Sequence, residues 1–544
     1  MADWHDLRPD DRLVKQYRES GAWRDATPAA DLRHWAATTP DAIAINAWRA
    51  DSGIRRLTYR EYEDQVERFA LVLGDLGVTI GHVVAVQLPN WWQVNALVLA
   101  CNRLGAIAAP ILPTIRAREL ELMLRRVEAD VCVTTDRWRD YGFAAALASV
   151  APRLPALRHR VILGEQVEND EVDLNRAAES VDPHARDTDW SAEDPDRVSL
   201  VLFTSGTTGA PKAVLHTFNT YHGGYAAIAA NNKLTADEVF FNPSSLTGSV
   251  GLNMGNLLPL YLGAQTLMLE AWDADVALFA MATLGVTYFA AGPFFFGELT
   301  EAVMRTGRPL PALRRVVAAG AMVPAPLVER VRRLFELTLQ TAWGMTEVTA
   351  GTRTSVTEDP PDWAVHSVGR AMAGIDMDLR ADGEISVHHP GSLFVRGPSV
   401  CLATMSRNGG AVDVLAERDD GWYDTGDLVV PDERGGIRLL GRAADRVGGR
   451  SMIPVADVED VLRTHPGIAD VAIVGYGVGN ISACAVVVAR EPLTLDEVRA
   501  FLSDLLMTEW YQPTRLEVVD ELPRNAAGKV DKARLRSRLR GIDA

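Results

Sequence analysis

The sequence is short of cysteine. Four thiols are spread over 544 residues, Cys101, Cys132, Cys401 and Cys484, and no two form a C-x-x-C pair. Such spacing excludes a disulfide framework and fits a reducing compartment. Positive charge is scarce too: 55 Lys and Arg face 72 Asp and Glu, a net charge of −17. That balance argues against nucleic acid as the main partner and favours an acidic enzyme. No apolar run approaches the ~18 residues of a membrane span. The opening MADWHDLRPDDR lacks the apolar centre of a signal peptide. Repeats and low-complexity tracts are missing as well. A cytoplasmic protein is expected.

What is present is ordinary globular composition, 47% apolar and 23% charged, on a chain too long for a single core. Apolar runs such as HVVAVQLP, VCVTT, VSLVLFT and VTYFAAG alternate with helical-period stretches such as YREYEDQVERFALVLGDLG. This alternation predicts an α/β fold with parallel sheets, in which ligands sit beyond the carboxyl ends of strands. Between Glu165 and Pro195 the composition turns acidic and polar, as in a surface connection. Around Arg442 the chain passes through GRAADRVGGRS, rich in Gly and charge. The remaining stretch, on the order of a hundred residues, suffices for a small α+β domain on a linker. Two domains are therefore expected, 1–444 and 445–544.

One loop stands out. VLFTSGTTGAPKAVLHT, Val201 to Thr217, places Thr204, Ser205, Gly206, Thr207, Thr208, Gly209 and Lys212 directly after an apolar strand. Glycines permit close approach to the backbone, hydroxyls and freed N–H groups form an anion-sized concavity, and the lysine favours phosphate over a neutral guest. A hydroxyl after the lysine is absent, since Ala213 stands there, so this is not a Walker loop. Four further stretches carry candidate chemistry. QTAWGMTEVT holds Trp343, Gly344, Thr346 and Glu347, and GWYDTGDLVV holds Asp424 and Asp427. LLGRAADRV holds Arg442 and Asp445, and PRNAAGKVDKARLR holds Lys529.

With these motifs in this order, the chain resembles the adenylate-forming enzyme superfamily: acyl-CoA synthetases, luciferases and peptide-synthetase adenylation domains. Within it, VVAVQLPNWWQVNALVLACNRLGAIAAPILP looks most like medium-chain and alicyclic acyl-CoA ligases. The resemblance implies a large N-terminal domain of doubly wound sheets, a small barrel-like β part and a mobile α+β C-terminal domain. It implies ATP, Mg²⁺ and coenzyme A. By the same resemblance Thr204 to Lys212 close on the β- and γ-phosphates. Ala319, Gly320 and Ala321 line the adenine, with Trp343 stacking on it. Thr346 touches the α-phosphate, Glu347 holds Mg²⁺, and Asp427 and Arg442 reach the ribose. Lys529 bridges carboxylate and α-phosphate, Asp445 is the hinge, and Gly448 and Gly449 line the thiol channel. A flexible lysine suits transient approach by a mobile domain. His216 and His222 are read as structural.

Two stretches depart from the family pattern. DRVGGRSMIPVADVE is about one residue short after the hinge, which bears on the thiol channel. FFNPSSLTGSVGLN has small residues, Ser245 and Gly248 among them, and Leu246, about where relatives carry an aromatic–His pair. An enlarged, less polar cavity follows, with Phe294, Phe295 and Phe296 as further candidate lining. The expected substrate is a bulky nonpolar carboxylic acid, alicyclic or polycyclic, such as a terpenoid acid of a natural-product (antibiotic) pathway. Three rivals stay open: a single half-reaction enzyme that thioesterifies a supplied acyl-adenylate, an adenylation protein loading a carrier's phosphopantetheine, and a luciferase-like oxygenase. The last is disfavoured because no feature calls for oxygen chemistry. A homodimer is compatible with the sequence.

Overall fold

Every residue of the strand Val83–Gln87 is buried, as in a parallel strand covered on both faces. It lies inside a nine-stranded sheet whose parallel members are Val83–Gln87, Ile107–Pro110, Val131–Thr134, His159–Ile162, Val172–Asp173 and Val198–Thr204. Three antiparallel strands extend one edge, Lys212–Thr217, Ala403–Met405 and Val412–Val414. A second nine-stranded sheet contains Ile43–Arg49, Gln265–Leu269, Val239–Phe241, Tyr288–Ala291, Arg315–Ala319 and Leu339–Met345 in parallel. Its antiparallel edges are Gly53–Thr58 on one side, Val348–Arg353 and Arg370–Ala371 on the other. The computed structural model describes residues 4–184, 191–204, 212–321, 323–405, 412–442, 447, 453, 455–477, 482–505, 507, 511–525 and 528–539.

Alternation along the strands sorts side chains into layers. Val84 and Val86 join Leu200, Leu202, Phe240, Tyr288 and Val317 in one core between the two sheets, while Val83 and Ala85 pack on the outer face. Helices Tyr59–Asp75 and Phe218–Asn232 contribute side chains to that inner core, and their starts follow from local sequence. Thr58 and Glu61 close a reciprocal cap on Tyr59–Asp75, and Thr217 and Thr220 do the same for Phe218–Asn232. Arg103, fully buried on Trp92–Arg103, is held by Glu63 and Glu67 of the neighbouring helix. The guanidinium fork meets one oxygen of each carboxylate.

A four-stranded antiparallel sheet, Asp376–Arg380, Gly391–Arg396, Tyr423–Pro431 and Ile437–Arg442, forms the small β part. Beyond it, Ile468–Tyr476, Ser482–Ala489 and Arg515–Val518 make a three-stranded sheet. It is flanked by Val455–Arg463, Leu495–Asp504 and Lys532–Leu539, with apolar clusters of its own. The architecture is the α/β arrangement that the sequence resemblance implies. Among the described residues no helix is long and apolar enough to cross a membrane.

Candidate active site

Strand Val198–Thr204 pairs antiparallel with Lys212–Thr217, so Thr204 stands directly opposite Lys212 at the mouth of the loop between them. Ser205, Gly206, Thr207, Thr208 and Gly209 of that loop lie outside the described residues, as do Asp445, Gly448 and Gly449. In the other sheet, Leu339–Met345 turns back into Val348–Arg353 through Thr346 and Glu347. The two sheets bring these ends together. Lys212 Nζ donates to Glu347 Oε1 at 3.0 Å and to the Tyr423 hydroxyl at 2.9 Å. The Tyr423 hydroxyl in turn donates to Glu347 Oε1 at 3.0 Å.

The turn is braced at each carbonyl. His216 Nε2 donates to the Thr346 carbonyl (2.7 Å), and the Cys401 amide donates to the Glu347 carbonyl (2.8 Å). His216 Nδ1 meets the Thr220 hydroxyl at 2.9 Å. Burial pushes His216 down to about 4, against the smaller opposing pull of the Thr346 carbonyl and Glu347. A neutral ring with its proton on Nε2 supplies the donor to the Thr346 carbonyl. Burial, with Glu347 nearby, holds the Cys401 thiol well above its ordinary range, so it is an inert apolar neighbour. Sequence reasoning set His216 aside and passed over Tyr423. Strand alternation carried a signal for the first, because Lys212, Val214 and His216 share one face.

Trp343 is 6% exposed, and its Nε1 donates to Asp427 Oδ2 at 2.8 Å. The Asp427 amide donates to Thr425 Oγ1 (3.0 Å), whose hydroxyl donates to the Leu393 carbonyl (2.8 Å). Asp427 stands opposite Arg442 in the backbone register of the two strands. Ala319 ends strand Arg315–Ala319, beside Ala342, and Gly320 and Ala321 follow it. Gly320 has φ +88°, and a Cβ placed there would stand 3.5 Å from Lys529 Cε. The small C-terminal sheet unit thus presents Lys529 over the Ala319–Ala321 segment. Lys529 sits in a turn in which its amide donates to Asn525 Oδ1 (3.1 Å) and Arg524 holds the Gly528 carbonyl (2.8 Å). Phe294, a candidate for acyl lining, lies beside Gly528, while Phe296 is fully buried core against Phe289.

The small-residue stretch Ser244–Gly248 is anchored from the other sheet. Asn90 accepts the Leu246 amide at Oδ1 (2.9 Å) and donates to the Ser244 carbonyl (3.2 Å). Ser245 bonds Thr247 side chain to side chain, and the Gly248 amide donates to the Ser245 carbonyl. Gly251 admits that carbonyl: a Cβ on it would fall 2.0 Å from Ser245 O. Beyond this stretch the helix widens over Asn253–Leu257 ahead of Pro259. Asn95 Nδ2 donates to the Gly255 carbonyl (3.2 Å), the acceptor four residues before a proline that has no N–H to give. A cleft of about 610 Å³ elsewhere, lined by Lys233, Glu238, Arg314, Arg315 and Ser355 among others, shares none of these residues.

The donor set fits a nucleotide polyphosphate with one hard cation. Glu347 offers a single carboxylate, and no group of three or more His, Cys, Asp or Glu among the described residues forms a metal cage. Mg²⁺ takes few protein carboxylates and otherwise phosphate and water oxygens.

Comparison with known proteins agrees in kind. The family described as AMP-binding enzyme matches residues 32–403, and the AMP-binding enzyme C-terminal domain matches 457–529. A Streptomyces salicylyl-CoA synthase / salicylate adenylyltransferase is 32% identical, covering 97% of this chain and 96% of that one. A Mycobacterium tuberculosis methyl-dioxo-octahydro-indenyl propanoyl:CoA ligase is also 32% identical, over 89% of this chain and 94% of its own. The crystal structure of an anthranilate CoA ligase, AuaEII, with anthranoyl-AMP superposes with a TM-score of 0.83 at 21% identity. The match covers 95% of this chain and 98% of that one.

Proposed function

Because the chain belongs to the AMP-binding enzyme family, we propose that it is an AMP-forming acid–thiol ligase that converts a bulky aromatic or alicyclic carboxylic acid into its CoA thioester. The observation that carries this reading is the meeting of Lys212, Tyr423 and Glu347 at strand ends, with Lys529 over the neighbouring strand end. In the first step a carboxylate oxygen of the acid bonds the α-phosphorus of ATP and pyrophosphate departs. In the second the CoA thiolate bonds the acyl carbon and AMP leaves with the C–O electron pair. A carboxylate attacks a polyanion poorly, so charge cancellation and alignment supply the acceleration.

The chain's residues divide that work. Lys212, with the loop from Thr204, takes the β- and γ-phosphates, and Thr346 faces the α-phosphate. Glu347 would hold Mg²⁺, which supplies charge neutralisation when bound; for this Glu347 gives up the ion pair with Lys212, freeing the lysine for phosphate. Trp343, Asp427 and Arg442 serve adenosine. Lys529 bridges carboxylate and α-phosphate. Asp445 is assigned as hinge and Gly448 and Gly449 as thiol-channel lining, with 445–544 moving between the two steps. Ser245, Leu246 and Gly248 are assigned to the acyl pocket, where small residues in place of bulky rings suit a ring system. Relatives named for salicylate and for a fused-ring propanoyl substrate support a cyclic acid.

The test is carboxylate-dependent ATP–pyrophosphate exchange over butyrate, salicylate, cyclohexanecarboxylate and polycyclic terpenoid acids, followed by product analysis with CoA. Exchange with the cyclic acids and not butyrate is expected, with acyl-CoA as product. Silence across the panel, with acyl-CoA formed from a supplied acyl-adenylate, would overturn the reading in favour of a thioesterifying enzyme alone. Exchange with a thioester formed only on a phosphopantetheinyl carrier protein would reassign the acceptor.

A further inference from the structure

We infer that Trp343 is a positioning residue for ribose recognition: its indole N–H fixes the Asp427 carboxylate, and Gly351 exists to seat the ring that does so. The inference rests on the assignment of Asp427 to the ribose hydroxyls.

Three observations converge. An indole N–H can only donate, so the 2.8 Å contact from Trp343 Nε1 to Asp427 Oδ2 has one polarity and one role. It stabilises the ionised carboxylate and fixes its plane. The backbone beneath is fixed separately, through Thr425 and the Leu393 carbonyl, so both ends of the Asp427 side chain are specified. Both partners are only 6% exposed, where a charge-assisted bond is little weakened by water.

The third observation is the notch. Gly351 lies within strand Val348–Arg353, a place where glycine weakens the ladder and often marks close approach. A Cβ at Gly351 would fall 2.2 Å from both Cε3 and Cζ3 of Trp343. The six-membered part of the indole therefore occupies the space of a strand side chain, and the pyrrole edge is delivered to Asp427. A smaller aromatic would fill the base-stacking volume without reaching that carboxylate with an N–H. The ring's buried position makes edge-on orientation of Asp427 its distinguishing contribution.

The experiment compares ATP with 2′-deoxyATP and 3′-deoxyATP in pyrophosphate exchange, for wild type, Trp343→Phe and Gly351→Ala. Phenylalanine keeps an aromatic face and removes the N–H; alanine at 351 keeps the indole and displaces it. Expected is a wild-type preference for ATP over the deoxynucleotides that shrinks about tenfold in both variants, the scale of a hydrogen bond to a charged group. It comes from a raised KM for ATP, with a smaller rise for each deoxynucleotide, which keeps one hydroxyl for Asp427. A merely structural role would weaken all three nucleotides alike, and equal losses overturn the inference. So does an unchanged preference in both variants. Melting shifts with each nucleotide identify a variant that does not fold, and the other then decides the matter. Wild type that neither exchanges nor is stabilised by ATP sinks the functional reading itself, an outcome separate from a selective wild type with indifferent variants.

Discussion

Lys212 and Glu347 form an ion pair at 3.0 Å between the two nine-stranded sheets, with side chains 22% and 5% exposed. Each is the natural counter-charge for half of a metal–polyphosphate ligand. Paired, they neutralise each other, and Tyr423 bonds both. Glu347→Gln removes the charge while keeping most of the shape. Exchange activity is expected to fall about a hundredfold or more, on the scale of losing one preorganised electrostatic contact, and raised magnesium should not restore it. Retention of activity within a few-fold of wild type would remove Glu347 from the site.

Tyr423→Phe deletes one hydroxyl that touches both members of the pair. The lysine–glutamate contact itself survives, so the effect is milder: a rise of several-fold in KM for ATP with kcat nearly kept, in line with one lost hydrogen bond. Steady-state kinetics at saturating acid separates the two parameters. A collapse of kcat would show that Tyr423 acts on the reaction step instead.

Lys529 is carried by a unit with its own sheet and cores, so its removal should separate the two half-reactions. Lys529→Ala is expected to lower pyrophosphate exchange by roughly two orders of magnitude, with thioester formation from a supplied acyl-adenylate largely retained. Equal loss of both activities contradicts the assignment.

His216 and His222 are both pushed down to about 4, each first by burial; Arg24 adds to the effect at His222. Unfolded imidazoles take protons near 6.5. Between pH 6.5 and 4 the unfolded chain therefore binds more protons than the folded one, and stability falls as pH is lowered through that window. The linkage amounts to about 2 kcal/mol per histidine at pH 5. Melting midpoints should drop from pH 7 to pH 5, and His222→Gln should show a smaller drop. An identical pH slope in that variant would contradict the linkage.

Arg103 is fully buried between Glu63 and Glu67. Removing the cation strands two carboxylates, so Arg103→Ala is expected to destabilise by about 3–5 kcal/mol. Urea unfolding monitored by circular dichroism reads this directly; a change under about 1 kcal/mol would mean the carboxylates relax to solvent.

The residues legible in the sequence are those attached to backbone events. Thr346 and Glu347 occupy a strand-to-strand turn, and Thr204 and Lys212 frame a loop, so Gly-rich punctuation after apolar runs pointed to them. Residues that act by side-chain reach were harder to see. Tyr423 lies four residues from Asp427 on one strand, yet the ladder shifts register there and Gly426 has φ +69°, so counting alternate positions misplaces it. The phenylalanine run divides for a related reason. Three adjacent rings on helix Pro293–Thr306 point in different directions, Phe296 into the core and Phe294 toward Gly528. The Trp343–Asp427 contact spans 84 positions and depends on a glycine in a third place. No local pattern encodes such a triple.

The fastening of the small-residue stretch by Asn90 and Asn95 has a consequence for how this protein chooses among acids. Both asparagines come from the segment after strand Val83–Gln87, and between them they hold Ser244, Leu246 and the Gly255 carbonyl. On the proposed assignment of this stretch to the acyl pocket, acids are sorted by volume against a shape that the two asparagines hold. On that assignment, evolution or engineering toward another acid proceeds by substitutions at Ser245, Leu246 and Gly248. A transplanted loop would arrive without the anchors that fix this shape.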